Sequence, residues 1–193
     1  MNELLNRFDV WLAANLLDYY ASLQPGVTDA ELDAFETKLG HPLTDDFRAL
    51  YKWHNGSLES GFPPLPWYYW LPLQESLRYQ SSGTVDGFET NTWLEWHPDW
   101  LLIDSDGSGS HLLYDPVGVW GGQAGQLIQW VHADANYVKH SGIRAWIAVL
   151  VETLEAAIWN DEAELEADIF PWMNQELMAR LDPGYPKDPI ETD

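Results

Sequence analysis

Thr28-Asp29-Ala30-Glu31-Leu32-Asp33-Ala34-Phe35-Glu36-Thr37-Lys38-Leu39-Gly40 is a helix with both of its ends written into it. Thr28 followed by Glu31 is a capping-box pair, in which the hydroxyl accepts from the third helical N–H and the carboxylate reaches back to the N–H of the cap. Leu32, Phe35 and Leu39 recur at spacings of three and four and so share one face, which needs something apolar to pack against. Gly40 supplies the left-handed conformation that ends a helix without a steric penalty.

Reading outward, that face is provided for on both sides. Upstream, Leu5, Phe8, Leu12, Leu16 and Tyr19, with Trp11 beside them, predict an amphipathic helix that Pro25-Gly26 stops. Downstream of His41-Pro42-Leu43, Thr44 caps a short third helix carrying Phe47, Leu50 and Tyr51, closed by Asn55-Gly56. Beyond residue 60 the period changes. Leu65-Pro66-Trp67-Tyr68-Tyr69-Trp70-Leu71-Pro72-Leu73 is aromatic, bounded by prolines and too short for a buried helix, so a strand is expected. Trp100-Leu101-Leu102-Ile103 and His111-Leu112-Leu113-Tyr114 flank the loop composition of residues 104–110 and predict a hairpin. Gln126-Leu127-Ile128-Gln129-Trp130-Val131 predicts a further strand. From Ser141 the pattern is helical again, with Ile143, Trp146, Ile147, Leu150, Leu154 and Ile158. Strands enclosed by helical ends make an α+β fold, with a mostly antiparallel sheet against N-terminal and C-terminal helices. The organisation expected is one domain: an N-terminal helix over 1–27, an α+β core over 28–160 and an acidic extension over 161–193.

With 31 acidic against 9 basic residues in 193, the formal charge is −22, which excludes nucleic-acid binding through phosphate neutralisation. A hydrophobic content of 46% and 12 Trp give enough apolar area for a core despite that charge. Cys is absent, so disulfides, thiolate metal sites and a Cys nucleophile are all excluded. Glu3, Arg7, Asp9 and Asp18 interrupt the apolar residues of the N-terminus, which therefore lacks the pattern of a secretory signal, and no run approaches the roughly 18 apolar residues of a membrane span. A cytoplasmic chain with no membrane partner is expected. From Glu152 onward there are 12 acidic and 2 basic residues, so −10 of the −22 lies in this stretch. Asp161, Glu162, Glu164, Glu166 and Asp168 crowd together there, a density that favours solvation or a basic partner. Asp182 to Asp193 contains three prolines and is expected to fray.

No chemical motif outweighs its structural alternative. Asp104 to Asp115 places Asp at positions 1, 3 and 12 and Gly at 6 of a calcium-type loop, but His111 occupies position 8 and strands flank it, so a hairpin turn is the expected use. His41, His54, His97, His111, His132 and His140 show no spacing that stacks two ligands on a helix face, and no metal or other cofactor is expected. Gly118 to Gly125 lacks the Lys of a phosphate loop. No nucleophile elbow is present, and carboxylate pairs are too numerous to single one out as a glycosidase site. Alternation across Trp67-Tyr68-Tyr69-Trp70 places Trp67 with Tyr69 and Tyr68 with Trp70, so one face suits the core and the other suits docking of a protein or sugar ring.

The helix from Thr28 to Gly40, Pro42-Leu43, Phe47-Arg48-Ala49-Leu50-Tyr51 and Asn55-Gly56, followed by Trp96-His97-Pro98-Asp99-Trp100-Leu101-Leu102-Ile103, the Asp106-Gly107-Ser108-Gly109 turn and Leu113-Tyr114-Asp115-Pro116, resembles the SUKH superfamily over roughly residues 28 to 155. That group includes fungal cell-wall-assembly regulators and bacterial toxin-immunity proteins. The usual Leu-Pro step before the third helix is here Pro42-Leu43. The resemblance implies a compact α+β domain with a twisted sheet, used to bind other proteins rather than to catalyse. Joined to the charge, it leads to the expectation of an immunity-type module that blocks a basic partner, a toxin or nuclease domain. The expected contacts are Asp161, Glu162, Glu164, Glu166, Asp168, Trp67 and Trp70. A regulator of cell-wall or polysaccharide assembly and a glycan-binding module with an aromatic platform are the alternatives.

Overall fold

Helix α1 (Asn2–Asn15) turns Leu5, Phe8, Trp11 and Leu12 inward, as the apolar period requires. It breaks at Leu16, where φ is −133°, and restarts as α2 (Leu17–Ser22), so the single upstream helix expected from the sequence is two. The computed structural model describes residues 1–63, 68–77, 84–85, 88–89, 96–131, 136–156 and 175–187. Strand β1 (Leu23–Pro25) leads to α3 (Asp29–Leu39) and α4 (Asp45–Trp53). Both expected caps are present. The Thr28 hydroxyl accepts from Glu31 N–H while the Glu31 carboxylate accepts from Thr28 N–H at 2.7 Å, and Gly40 ends α3 at φ +82°. The Thr44 hydroxyl accepts from Phe47 N–H at 3.3 Å.

Strand β2 (His54–Ser57) pairs antiparallel with β1. The Asn55-Gly56 pair, expected only to close α4, thus lies within a strand. Gly56 has φ +76°, and a Cβ there would stand 2.6 Å from Pro72 N, so no side chain fits. Then come β3 (Tyr69–Trp70), a 3-10 turn (Glu75–Leu77), and the pair β4 (Thr84–Val85) and β5 (Phe88–Glu89). The strand expected over 65–73 is confined to Tyr69–Trp70 within its described part; residues 64–67, Trp67 among them, lie outside the described residues.

The expected hairpin is β6 (Leu101–Ser105) with β7 (His111–Asp115), followed by β8 (Gln126–Trp130) and β9 (Tyr137–His140). The five-stranded sheet runs β3-β6-β7-β8-β9, antiparallel throughout. Helix α5 (Ile143–Ala156) returns across it, and α6 (Gln175–Leu181) packs beside α5. This is the α+β arrangement expected. One sheet face presents Leu101, Ile103, Leu112, Tyr114 and Leu127 to a core shared with Leu5, Phe8 and Leu12 of α1, Phe47 and Leu50 of α4, and Ile147 and Leu150 of α5. The other carries Trp100, Leu102, Leu113, Ile128 and Trp130, with Trp96 and Trp120 set edge-on against Trp100. Burial on both faces explains why β7 and β8 read as continuous apolar runs rather than alternating ones. Each large aliphatic or aromatic side chain so placed contributes about 1.5–3 kcal/mol.

The expectation of a frayed tail from Asp182 is corrected over its described part. Asp182 is 2% exposed, and its carboxylate accepts from His140 at 3.0 Å and from Ser141 N–H at 3.1 Å. Two residues past α6's closing turn the chain becomes an edge partner, with Lys187 and Val138 exchanging backbone hydrogen bonds of 3.0 and 2.9 Å beside β9. Residues 188–193 lie outside the described residues.

Candidate functional site

The expected contact residues separate. Asp161, Glu162, Glu164, Glu166, Asp168 and Trp67 lie outside the described residues. Trp70 is a core residue, 1% exposed and stacked on Trp53 at 5.6 Å between centroids, so its ring offers no contact surface; the exposed ring of that strand is Tyr69, at 43%. The reason is register. Trp70 sits opposite Asp104 on the helix-facing side of β6, where Tyr51, Trp53 and Phe62 surround it.

The three aspartates of the calcium-like segment serve three different places. Asp104 accepts from Leu112 N–H across the hairpin at 2.9 Å, Asp106 folds the turn by accepting from Ser108 N–H and Ser110 N–H, and Asp115 accepts from the N–H groups of Val117, Gly118 and Val119. They do not converge, and among the described residues no three His, Asp or Glu side chains gather as a metal site needs. Four of the described histidines make structural hydrogen bonds: His41 meets Asp99 at 3.0 Å, His54 meets Gln24 O and Asp9, His97 accepts from Asp99 N–H at 3.3 Å, and His140 meets Asp182, while His132 lies outside the described residues. The Gly118–Gly125 stretch is a turn closed onto Asp115, with Gly125 N–H donating to Asp115 O at 2.7 Å.

Inside the sheet, Lys139 Nζ donates to Gln129 Oε1 at 2.6 Å, close to buried Asp104. Burial pushes the Asp104 carboxyl up to about 7 although the Lys139 charge pulls it down, and burial pushes the Lys139 ammonium down to about 8 against the pull of Asp104. Such a pair suggests chemistry only if something can reach it. At 5% and 8% exposure neither group opens to solvent, so the pair belongs to the core.

The surface is different in kind. Arg7 is bound to Glu155, Arg48 to Asp33 and Glu36, Lys52 to Asp29, Arg144 to Asp46 and Arg180 to Glu152. These five cations are held by the protein's own carboxylates, while Glu3, Asp18 and Asp45 are among the acids exposed on the described surface. One cleft of about 470 Å³ opens between α1 and α4, lined by Asn2, Asn6, Asp29, Asp45, Arg48 and Lys52 together with Leu5, Ala49 and Trp53. Asp45 is exposed and has no hydrogen bond or ion pair among the described residues. The sequence did not single out these residues, because the cleft takes its lining from three helices and no periodicity joins them.

Residues 26–148 match the model of the SMI1 / KNR4 family (SUKH-1). The chain belongs to this family. No curated protein matches it. The SUKH-1 match covers α3 to the first turns of α5, and leaves α1, α2 and α6 as elements that this chain packs onto the matched region. SUKH-1 membership supports a protein-interaction module of immunity or cell-wall type, in a family that is generally non-catalytic. Among the described residues no helix is long and apolar enough to cross a membrane.

Proposed function

We infer that this SUKH-1 chain is a non-catalytic, cytoplasmic immunity-type protein whose acidic surface occupies a basic surface of a toxin or nuclease domain. The observation that carries the reading is the charge of −22 on a surface where Arg7, Arg48, Lys52, Arg144 and Arg180 are already bound to carboxylates of the same chain. Unopposed acids steer a basic protein into encounter and disfavour acidic or phosphate-bearing ones. Family membership supports a binding role, and the absence of a nucleophile motif agrees with it.

The test uses the full chain and the protein encoded beside it. The two should associate rapidly, and the association rate should fall as salt is raised, because charges are screened beyond about 8 Å at physiological ionic strength. No association, or a rate indifferent to salt, overturns the reading. A deletion that alters the cell wall without exposing the cell to a co-encoded toxin favours the wall-assembly role instead.

A further inference from the structure

Both edges of the five-stranded sheet are closed by this chain's own backbone. Beside β3, the Tyr68 carbonyl accepts from the N–H groups of Gly61 and Phe62 at 2.9 and 3.1 Å. Beside β9, Val138 N–H donates to Lys187 O at 3.0 Å and Lys187 N–H donates back to Val138 O at 2.9 Å. The two closures differ in origin, since Gly61 and Phe62 lie inside the SUKH-1 match over 26–148, whereas α6 and Lys187 lie outside it. They differ in anchorage too. Leu177 and Met178 are buried with Val149 of α5, and Asp182 is buried against His140 and Ser141, so the chain is fixed as far as residue 182. Past that point Pro183, Gly184, Pro186 and Lys187 are exposed, and Gly184, at φ +84°, turns the chain back to β9.

We propose that residues 183–187 are a strap that holds the β9 edge shut, and that lifting it lets a second copy of this chain pair with β9 at Val138. An open strand edge is a template for another strand. Val138 turns both its N–H and its C=O to the strap, which is the geometry of a hydrogen-bonded pair in an antiparallel ladder. Two β9 strands related by a two-fold axis through that pair satisfy the same two groups that Lys187 satisfies. Tyr137-Val138-Lys139-His140 contains no acid in a chain that has 31, so the strand sets no carboxylate of its own against its copy. The strap is itself a poor template, because Pro186, next to the bridge, has no N–H to offer. The net charge of −22 keeps copies apart at low salt, and the strap decides the outcome where salt screens that charge.

The test uses the full chain. Lys187→Pro removes the N–H that donates to Val138 O, while Lys187→Ala changes the side chain and keeps both backbone bonds. Gly184→Val opens the strap by a second route. A Cβ there meets nothing nearer than Lys187 Cε at 4.0 Å, so the variant acts on the left-handed turn and leaves α6 and Asp182 alone. At low salt and low protein concentration, Val138 amide exchange should quicken about tenfold or more in Lys187→Pro and Gly184→Val and stay unchanged in Lys187→Ala. In raised salt the two opened variants should sediment at twice the chain mass with Val138 protected again, while wild type and Lys187→Ala remain at one chain mass. Opened variants that stay at one chain mass despite faster exchange show that no copy pairs there, and the proposal fails. It fails equally if Lys187→Pro leaves Val138 exchange unchanged, or if wild type and Lys187→Ala already sediment as dimers.

Discussion

His140 Nδ1 lies 3.0 Å from the Asp182 carboxylate, and both side chains are 2% exposed. The contact joins β9 to the residue after α6, 42 positions along the chain. Removing the carboxylate leaves the His140 N–H and the Ser141 N–H without an acceptor in a site closed to water. Asp182→Ala should therefore destabilise the fold by about 2–4 kcal/mol, and Asp182→Asn, which keeps one acceptor, by less. Urea denaturation checks both.

Burial pushes the His140 pKa below its ordinary value, the Asp182 contact opposing but not reversing this. The folded state thus holds its proton less readily than the unfolded chain. Stability from this group is complete above the unfolded value near 6.5 and is lost as pH falls below it. Wild-type stability measured from about pH 7.5 down to about pH 5.5 should decline, and His140→Gln should flatten that part of the decline.

Asp104 and Lys139 form a costlier arrangement. The Asp104 carboxyl, raised to about 7, favours the folded state when protonated, so its contribution falls as pH climbs from about 4 through 7. The Lys139 ammonium, lowered to about 8, makes the fold gain stability as pH rises from 8 toward its unfolded value. At neutral pH the buried ammonium is charged and the buried carboxyl is partly ionised, and each depends on the other. Lys139→Met alone should cost about 3 kcal/mol or more by leaving the carboxylate uncompensated, and adding Asp104→Asn should restore most of it. The Asn retains an acceptor for Leu112 N–H. A double-mutant cycle showing additive costs would contradict this coupling.

What could be read from the sequence was local. The Thr28–Glu31 box, Gly40, Thr44 and the apolar period of α1, α3, α4 and α5 each depend on neighbours within one or two turns, and all reappear in the structure. The β6–β7 hairpin was legible because its loop composition separates two apolar runs. What escaped depends on distant partners. Strand β9 reads Tyr-Val-Lys-His, with a buried cation that Gln129 and Asp104 help to make tolerable, and β2 is a strand because β1 lies alongside it. Asp182 resembles a tail residue until His140 is placed next to it. The site was less legible still, since Asn6, Asp29 and Trp53 come from three helices and meet only in the folded cleft.

Thr44 tests a junction that was half legible. Its hydroxyl caps α4 as the sequence indicates, but it also receives the Tyr114 hydroxyl at 3.3 Å, while Thr44 N–H donates to that same oxygen at 3.0 Å. Helix α4 is thereby fixed to β7. Thr44→Ala should cost about 1–2 kcal/mol, while Thr44→Ser, which keeps the oxygen, should cost much less. Equal losses for the two would assign the effect to the methyl group rather than to the cap.

The sharpest contrast lies between adjacent aromatic residues. Trp70 packs against Trp53, Tyr51 and Phe62 in the centre of the molecule, while Tyr69 points outward beside the turn at Gly107. Alternation along a strand dictates that the two rings face opposite ways; which one faces the core is set by the pairing of Trp70 with Asp104 and Tyr69 with Ser105. Trp70→Ala should destabilise the protein by about 3–5 kcal/mol through the cavity it leaves, and Tyr69→Ala should stay within about 0.5 kcal/mol of wild type. Denaturation of both variants by urea decides it: comparable losses would mean that the strand is paired one residue out of the register described, with the tyrosine inside.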